Sequence, residues 1–221
     1  MVKDNWERLR EKIEEYCSIA GRSAEEIFVL PVTKGVGLER IRQAYEIGFR
    51  EFGENRVQEA SEKIPHFPDV RWHLIGHLQT NKVKKAIRMF SIIQSVDSIK
   101  LIEHLERRLE RKFPIFLEFN TSGEEQKHGF RPEEMEIAVE RVLKSDKLVL
   151  KGFMTVGPYP VEERKSRKAF ALLRELKERA EEKFGIKIEH LSMGMSEDFH
   201  WAILEGSTMI RPGRALFGER R

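Results

Sequence analysis

Eight short apolar runs recur along the chain, and the stretches between them are charged, with apolar residues three and four apart. That spacing marks one face of a helix, whereas short runs bounded by glycine, proline and polar residues mark strands. The runs fall at about 27–34, 49–52, 71–75, 91–96, 115–119, 148–153, 188–191 and 207–211. The intervening patterns predict helices that begin at Leu38, run to Lys63, span about 80–89, start at Asp97 or Ser98, start at Pro132, and span about 161–184 and 197–205. An additional opening helix, about 3–20, carries Trp6, Leu9, Ile13, Tyr16 and Cys17 on one face. Strands alternating with helices must be parallel with crossover connections. Eight such units in 221 residues predict an α/β fold, a single (β/α)8 TIM barrel over 1–221 with an extra N-terminal helix. An open doubly wound sheet is the rival, but its glycine-rich turn is incomplete: Gly35-Val36-Gly37-Leu38-Glu39-Arg40 has arginine at the third glycine position.

A barrel places its chemistry at the carboxyl ends of its strands. Those ends are Lys34, Glu54 with Asn55, His77, Ser95 with Asp97, Asn120 to Ser122, Met154 with Thr155, Ser192 to Ser196, and Arg211 with Gly213. Two readings of Lys34 stand open. It is a strand-end lysine reaching into solvent, or an amine whose pKa is lowered by its apolar surroundings and is thereby readied to attack a carbonyl. Ser192-Met193-Gly194-Met195-Ser196 is either a phosphate-binding turn or an ordinary turn in which Ser196 caps a helix. Arg211-Pro212-Gly213-Arg214 adds a second glycine turn whose amides, at residues 213 and 214, suit the same anion. Arg211 ends an apolar strand, so it needs either a ligand or a salt bridge across the barrel.

Composition narrows the function classes. Forty basic and 37 acidic residues leave a formal net charge of only +3, interleaved along helices, which is no signature of nucleic-acid binding. Lys82, Lys84, Lys85 and Arg88 read as a solvated helix face, although a phosphate- or RNA-binding face is the alternative. No apolar run is long enough for a membrane span, and residues 1–7 lack a signal-peptide core, so a cytoplasmic protein is expected. Cys17 is the single cysteine and reads as a small buried or half-buried thiol rather than a nucleophile. The histidines show no ligand spacing: His73 and His77 are four apart, but on a strand, so no metal is expected.

Taken in order, Val32-Thr33-Lys34, Phe52 to Glu59, Trp72 to Gln79, Ser95 to Ser98, Asn120 to Glu124, Gly152 to Thr155, Leu191 to Asp198 and Gly206 to Gly218 carry a resemblance. The chain is similar to the YggS/PROSC family of pyridoxal-phosphate-binding, vitamin B6 homeostasis proteins. The resemblance implies a barrel like the N-terminal domain of alanine racemase, with pyridoxal 5′-phosphate (PLP) held as a Schiff base on Lys34. It implies that Arg211 faces the pyridine nitrogen, and that Ser196, Ser192, Gly213 and the amide of Arg214 hold the phosphate. Asn55, His77, Met154 and Met195 would line the pocket. It further implies a monomer, with PLP-dependent apoenzymes as the class of recipient to consider. One departure stands out: Arg214 replaces the hydroxyl residue usual in the family.

An arginine opposite the ring nitrogen weakens the cofactor as an electron sink, and racemisation needs a second base. Of the three tyrosines, Tyr16, Tyr45 and Tyr159, only Tyr159 falls in a mouth-side loop, and the chain ends at Arg221 without a racemase C-terminal domain. The expectation is therefore a PLP carrier without robust turnover, with a low-activity amino-acid racemase as the alternative and a barrel for some other phosphate ligand or a protein partner as the third reading.

Overall fold

Each apolar run becomes a strand: β1 (Phe28–Val29), β2 (Glu51–Glu54), β3 (Arg71–Leu74), β4 (Ile92–Val96), β5 (Phe113–Glu118), β6 (Leu148–Met154), β7 (His190–Ser192) and β8 (Met209–Ile210). These come from a computed structural model that describes residues 1–219. All eight pair in parallel, in the order β1-β8-β7-β6-β5-β4-β3-β2. The two ends of the sheet then meet. Val32, just past β1, bridges Gly53 of β2; the Gly53 N–H donates to Pro31 O (2.8 Å) and the Thr33 N–H to Gly53 O (3.0 Å). The sheet is a closed barrel, as the alternation predicts.

Between and after the strands lie α2 (Leu38–Glu46), α3 (Val57–Lys63), α4 (Val83–Met89), α5 (Ile99–Arg108), α6 (Met135–Leu143), α7 (Glu163–Phe184), α8 (Phe199–Leu204) and α9 (Arg214–Phe217). Their apolar faces pack onto the strands; α5, for instance, buries Leu101, Ile102 and Leu105 and is capped by Ser98. The opening helix α1 (Val2–Ile19) seats Leu9, Ile13 and the buried Cys17 against Ile27, Phe199, Ile203 and Ile210.

Two differences from the predicted elements have local causes. The first strand stops at Val29 instead of running to Lys34: Leu30 and Val32 still donate to Ile210 O and Pro212 O, but Pro212 has no N–H to return on the β8 side and Pro31 has none for the β2 side. The last strand stops at Ile210, and the Arg211 N–H turns to Gly194 O (2.8 Å), tying the two terminal loops together. The four-residue α9 has too few turns to show a helical period in sequence.

Candidate functional site

The turn that carries Lys34 is fixed from below by a buried ionic cluster. Lys63, at the end of α3, is only 7% exposed. Its Nζ donates to Thr33 O (2.6 Å), Glu54 Oε1 (2.6 Å) and Glu59 Oε1 (2.7 Å). Thr33 Oγ1 donates to Glu54 Oε1 (2.6 Å), and the Gly35 N–H donates to Glu59 Oε1 (2.6 Å). The residues on both sides of Lys34 are thus bonded to one cluster. Burial pushes the Glu54 carboxyl above its usual range, opposed by Lys63 and Thr33. Lys34 itself is half-buried and faces a cavity of about 340 Å3.

Across that cavity lie the turns after β7 and β8. Gly194 has φ +95°, and a Cβ there would stand 2.7 Å from Ala202 Cβ and 2.8 Å from Phe199 Cα, so the turn requires glycine. Ser196 does not cap α8. Its Oγ instead accepts from the backbone N–H groups of Gly213 (3.1 Å) and Ala215 (3.0 Å). A hydroxyl and two amides from separate turns therefore converge on one spot. Asp198 is buried; its Oδ1 accepts from the Met195 N–H (2.6 Å) and its Oδ2 has no hydrogen-bond partner among the described residues. The Arg214 guanidinium pairs with Glu197 (2.5 Å) at the exposed rim.

Arg211 forms the wall between these two sides and is 3% exposed. No salt bridge of Arg211 is seen among the described residues; its Nη1 donates to Ser192 Oγ (2.7 Å) and its Nη2 to Thr155 O (2.7 Å). Burial pulls its pKa down to about 10, with Asp198 and Glu118 acting the other way, so it is a cation at neutral pH. Ser192 Oγ donates in turn to Gln94 Oε1 (2.6 Å), Gln94 Nε2 to His73 Nδ1 (2.8 Å), and His73 Nε2 to Glu51 Oε2 (2.6 Å). Burial depresses the His73 pKa, which keeps the ring neutral and compatible with that direction. A one-way chain of donors thus runs down the barrel interior and orients Arg211 from beneath.

Of the residues singled out in the sequence, Lys34, Asn55, Met195, Ser196, Arg211, Gly213 and Arg214 border this one cavity. Ser192 lies below it and acts through Arg211. Met154 is fully buried against Leu30, Ile92, Phe116 and Met209, in the barrel floor. His77 borders an adjoining cavity of about 240 Å3 that shares Asn55, Ile75 and Val156 with the first. Tyr159 is 81% exposed and borders a different groove, beside Asn120 and Lys168. Sequence reasoning missed Lys63 and the role of Glu54; a lysine two residues before Pro65 reads as a surface residue.

Glu118, in the adjoining cavity, is raised from the usual 4.5 to about 8 by burial and by Asp97, with Arg211 opposing. Between those two values the folded protein keeps a proton that the unfolded chain releases, so this group's contribution to stability falls as pH rises. Glu118→Gln is expected to remove that loss. Relative to wild type, the variant should gain roughly 2–5 kcal/mol on going from about pH 5 to pH 8, read by urea unfolding at both. An equal difference at the two pH values would contradict the buried acid.

The alanine racemase N-terminal domain family matches residues 2–221. A pyridoxal phosphate homeostasis protein of Aquifex aeolicus is 38% identical over 219 residues, covering 97% of this chain and 96% of that one. A protein of unknown function from Bifidobacterium adolescentis superposes with a TM-score of 0.92 at 33% identity, covering 98% of this chain and 94% of that one. PipY of Synechococcus elongatus PCC7942, in a structure with PLP bound, superposes with a TM-score of 0.80 at 32% identity, over 94% of this chain and 100% of PipY. With a barrel of the racemase N-terminal type and full-length identity at this level, the chain belongs to the pyridoxal phosphate homeostasis protein family.

Proposed function

We propose that the chain binds pyridoxal 5′-phosphate in the 340 Å3 cavity and serves vitamin B6 homeostasis without robust turnover. The observation that carries the reading is the convergence of an amine, a buried guanidinium and an anion cradle on one cavity. The donor set fits the ligand: Lys34 meets an aldehyde, Arg211 a ring nitrogen, and Ser196 with the Gly213 and Arg214 turn a phosphate. The cofactor supplies an aldehyde for Schiff-base formation and a pyridine ring that takes up negative charge. Lys34 would hold the cofactor through its aldehyde. Arg211, a cation at neutral pH, would donate to the ring nitrogen and so hold it unprotonated. Tyr159 is exposed and borders a different groove, so it is not placed to act as a second base in this cavity. The same reading takes the chain as a monomer that hands PLP to dependent apoenzymes.

The test is an absorbance spectrum of cofactor-free protein before and after PLP, then borohydride reduction and mass mapping. A single reduced adduct on Lys34 is expected; an adduct spread over surface lysines would refute the reading. Ser196→Ala removes one hydroxyl from the anion cradle. It is expected to weaken PLP binding about 10- to 100-fold, since a hydrogen bond to a charged group contributes about 1.5–3 kcal/mol. Arg214→Ala should change it less than about threefold, because that guanidinium is a rim-exposed partner of Glu197. Equal losses in the two variants, read by fluorescence titration, would place the phosphate elsewhere.

A further inference from the structure

The barrel mouth carries a second constellation, on the other side of Asn55 from Lys34. His77 follows β3, Asp97 follows β4, and His128 comes from the loop between β5 and α6. The two imidazoles stack, with ring centroids 3.8 Å apart and planes within 10° of parallel. Both present Nδ1 to the same oxygen: Asp97 Oδ2 lies 2.6 Å from His77 Nδ1 and 3.7 Å from His128 Nδ1. One donor atom from each residue falls within 4.8 Å of the other two. The Asp97 side chain is 7% exposed, so its carboxylate is held in place, whereas the two rings, at 39% and 57%, are reachable from solvent.

A second, independent observation points into the same cavity. Glu118 borders it, is 7% exposed, and its buried Oε2 has no hydrogen-bond partner among the described residues. A buried oxygen left this way costs free energy unless something else meets it. Two imidazoles, one fixed carboxylate and an unmet carboxyl oxygen form a better place for a cation and its bound water than for a second anion.

We propose that His77, Asp97 and His128 bind a borderline divalent cation of the Zn2+ class, at the smaller cavity that adjoins the one bordered by Lys34. Metal–ligand bonds of about 2.0–2.2 Å in a tetrahedron separate neighbouring donors by about 3.3 Å. The observed separations of 2.6 and 3.7 Å bracket that value, and the two exposed rings must tilt out of their parallel stack to turn both Nδ1 atoms onto one ion. Two nitrogens and one oxygen favour zinc, cobalt or nickel over magnesium or calcium, which prefer all-oxygen shells. Three protein ligands leave a position for water, and Glu118 supplies an oxygen for that water in the same cavity. The ion would also tie the His128 loop to the ends of β3 and β4, beside a cavity that shares Asn55, Ile75 and Val156 with the one next to Lys34. The site is independent of the PLP reading and stands or falls separately.

The test uses metal-stripped, cofactor-free protein, titrated with Zn2+ by calorimetry and with Co2+ by visible absorption. One equivalent is expected, with the intense Co2+ bands of a low-coordinate nitrogen–oxygen site. His128→Ala and Asp97→Asn should each weaken binding by at least about 10-fold, since even outer partners of metal ligands contribute 10- to 100-fold. His66→Ala, an exposed histidine outside the cluster, should leave binding unchanged. His128 is exposed and Asp97→Asn keeps the side-chain shape, so thermal melts without metal should match wild type. Absence of stoichiometric binding in wild type, or equal binding in wild type and His128→Ala, overturns the proposal.

Discussion

Lys34→Ala is expected to abolish the visible absorbance that PLP acquires on the protein, and with it all borohydride-reducible adduct. The Gly213 and Ser196 turns remain, so phosphate-dependent binding should persist in weakened, freely reversible form, visible by equilibrium dialysis but not after reduction. The fold should be untouched, because the Lys34 neighbours Thr33 and Gly35 are held through their backbone by Lys63 and Glu59, and Thr33 Oγ1 is held by Glu54. A variant that still gave one stoichiometric reduced adduct would show that another amine is the attachment point. Loss of all binding, including the dialysable fraction, would show that the anion cradle does not work without the amine.

The largest stability effect is expected at Lys63. Lys63→Met keeps the length of the stem but leaves the fully buried Glu54 carboxylate without its cation. Breaking a buried pair from one side costs about 3–5 kcal/mol. Chemical denaturation should show that loss, and the double variant Glu54→Gln/Lys63→Met should recover most of it, because the orphaned charge is then gone. The single variant should also load PLP more slowly, since Thr33 O loses the donor that sets the turn before Lys34. A cost below about 1 kcal/mol would mean that Glu54 goes neutral in the fold and that Lys63 is not needed to compensate it.

The reach of the sequence differs from residue to residue. Strand number and order of elements were legible because each strand lies in a short apolar-rich stretch bounded by turn residues. The Lys34, Arg211 and Gly213 positions were legible because a barrel gathers strand ends at one mouth. Ser196 was ambiguous for a physical reason: a serine before two acids satisfies helix-cap rules, and only the closed barrel brings the Gly213 and Ala215 amides within its reach. Met154 also ends a strand, but its side chain alternates inward to the floor. Lys63 was invisible since a charged residue at a helix end is ordinarily solvated. His77 and His128 lie on different crossover units, so spacing rules had nothing to register.

The seam where β1 meets β2 has a mechanical consequence. Pro31 leaves only two backbone hydrogen bonds, both through Gly53, to stitch the cylinder shut at that point. Lys34 stands on one lip and Asn55 on the other. On the proposed reading, cargo that touches both acts as a rivet: the wall breathes there when empty, stiffens when loaded, and gives the ligand an exit that demands no rearrangement of the remaining staves.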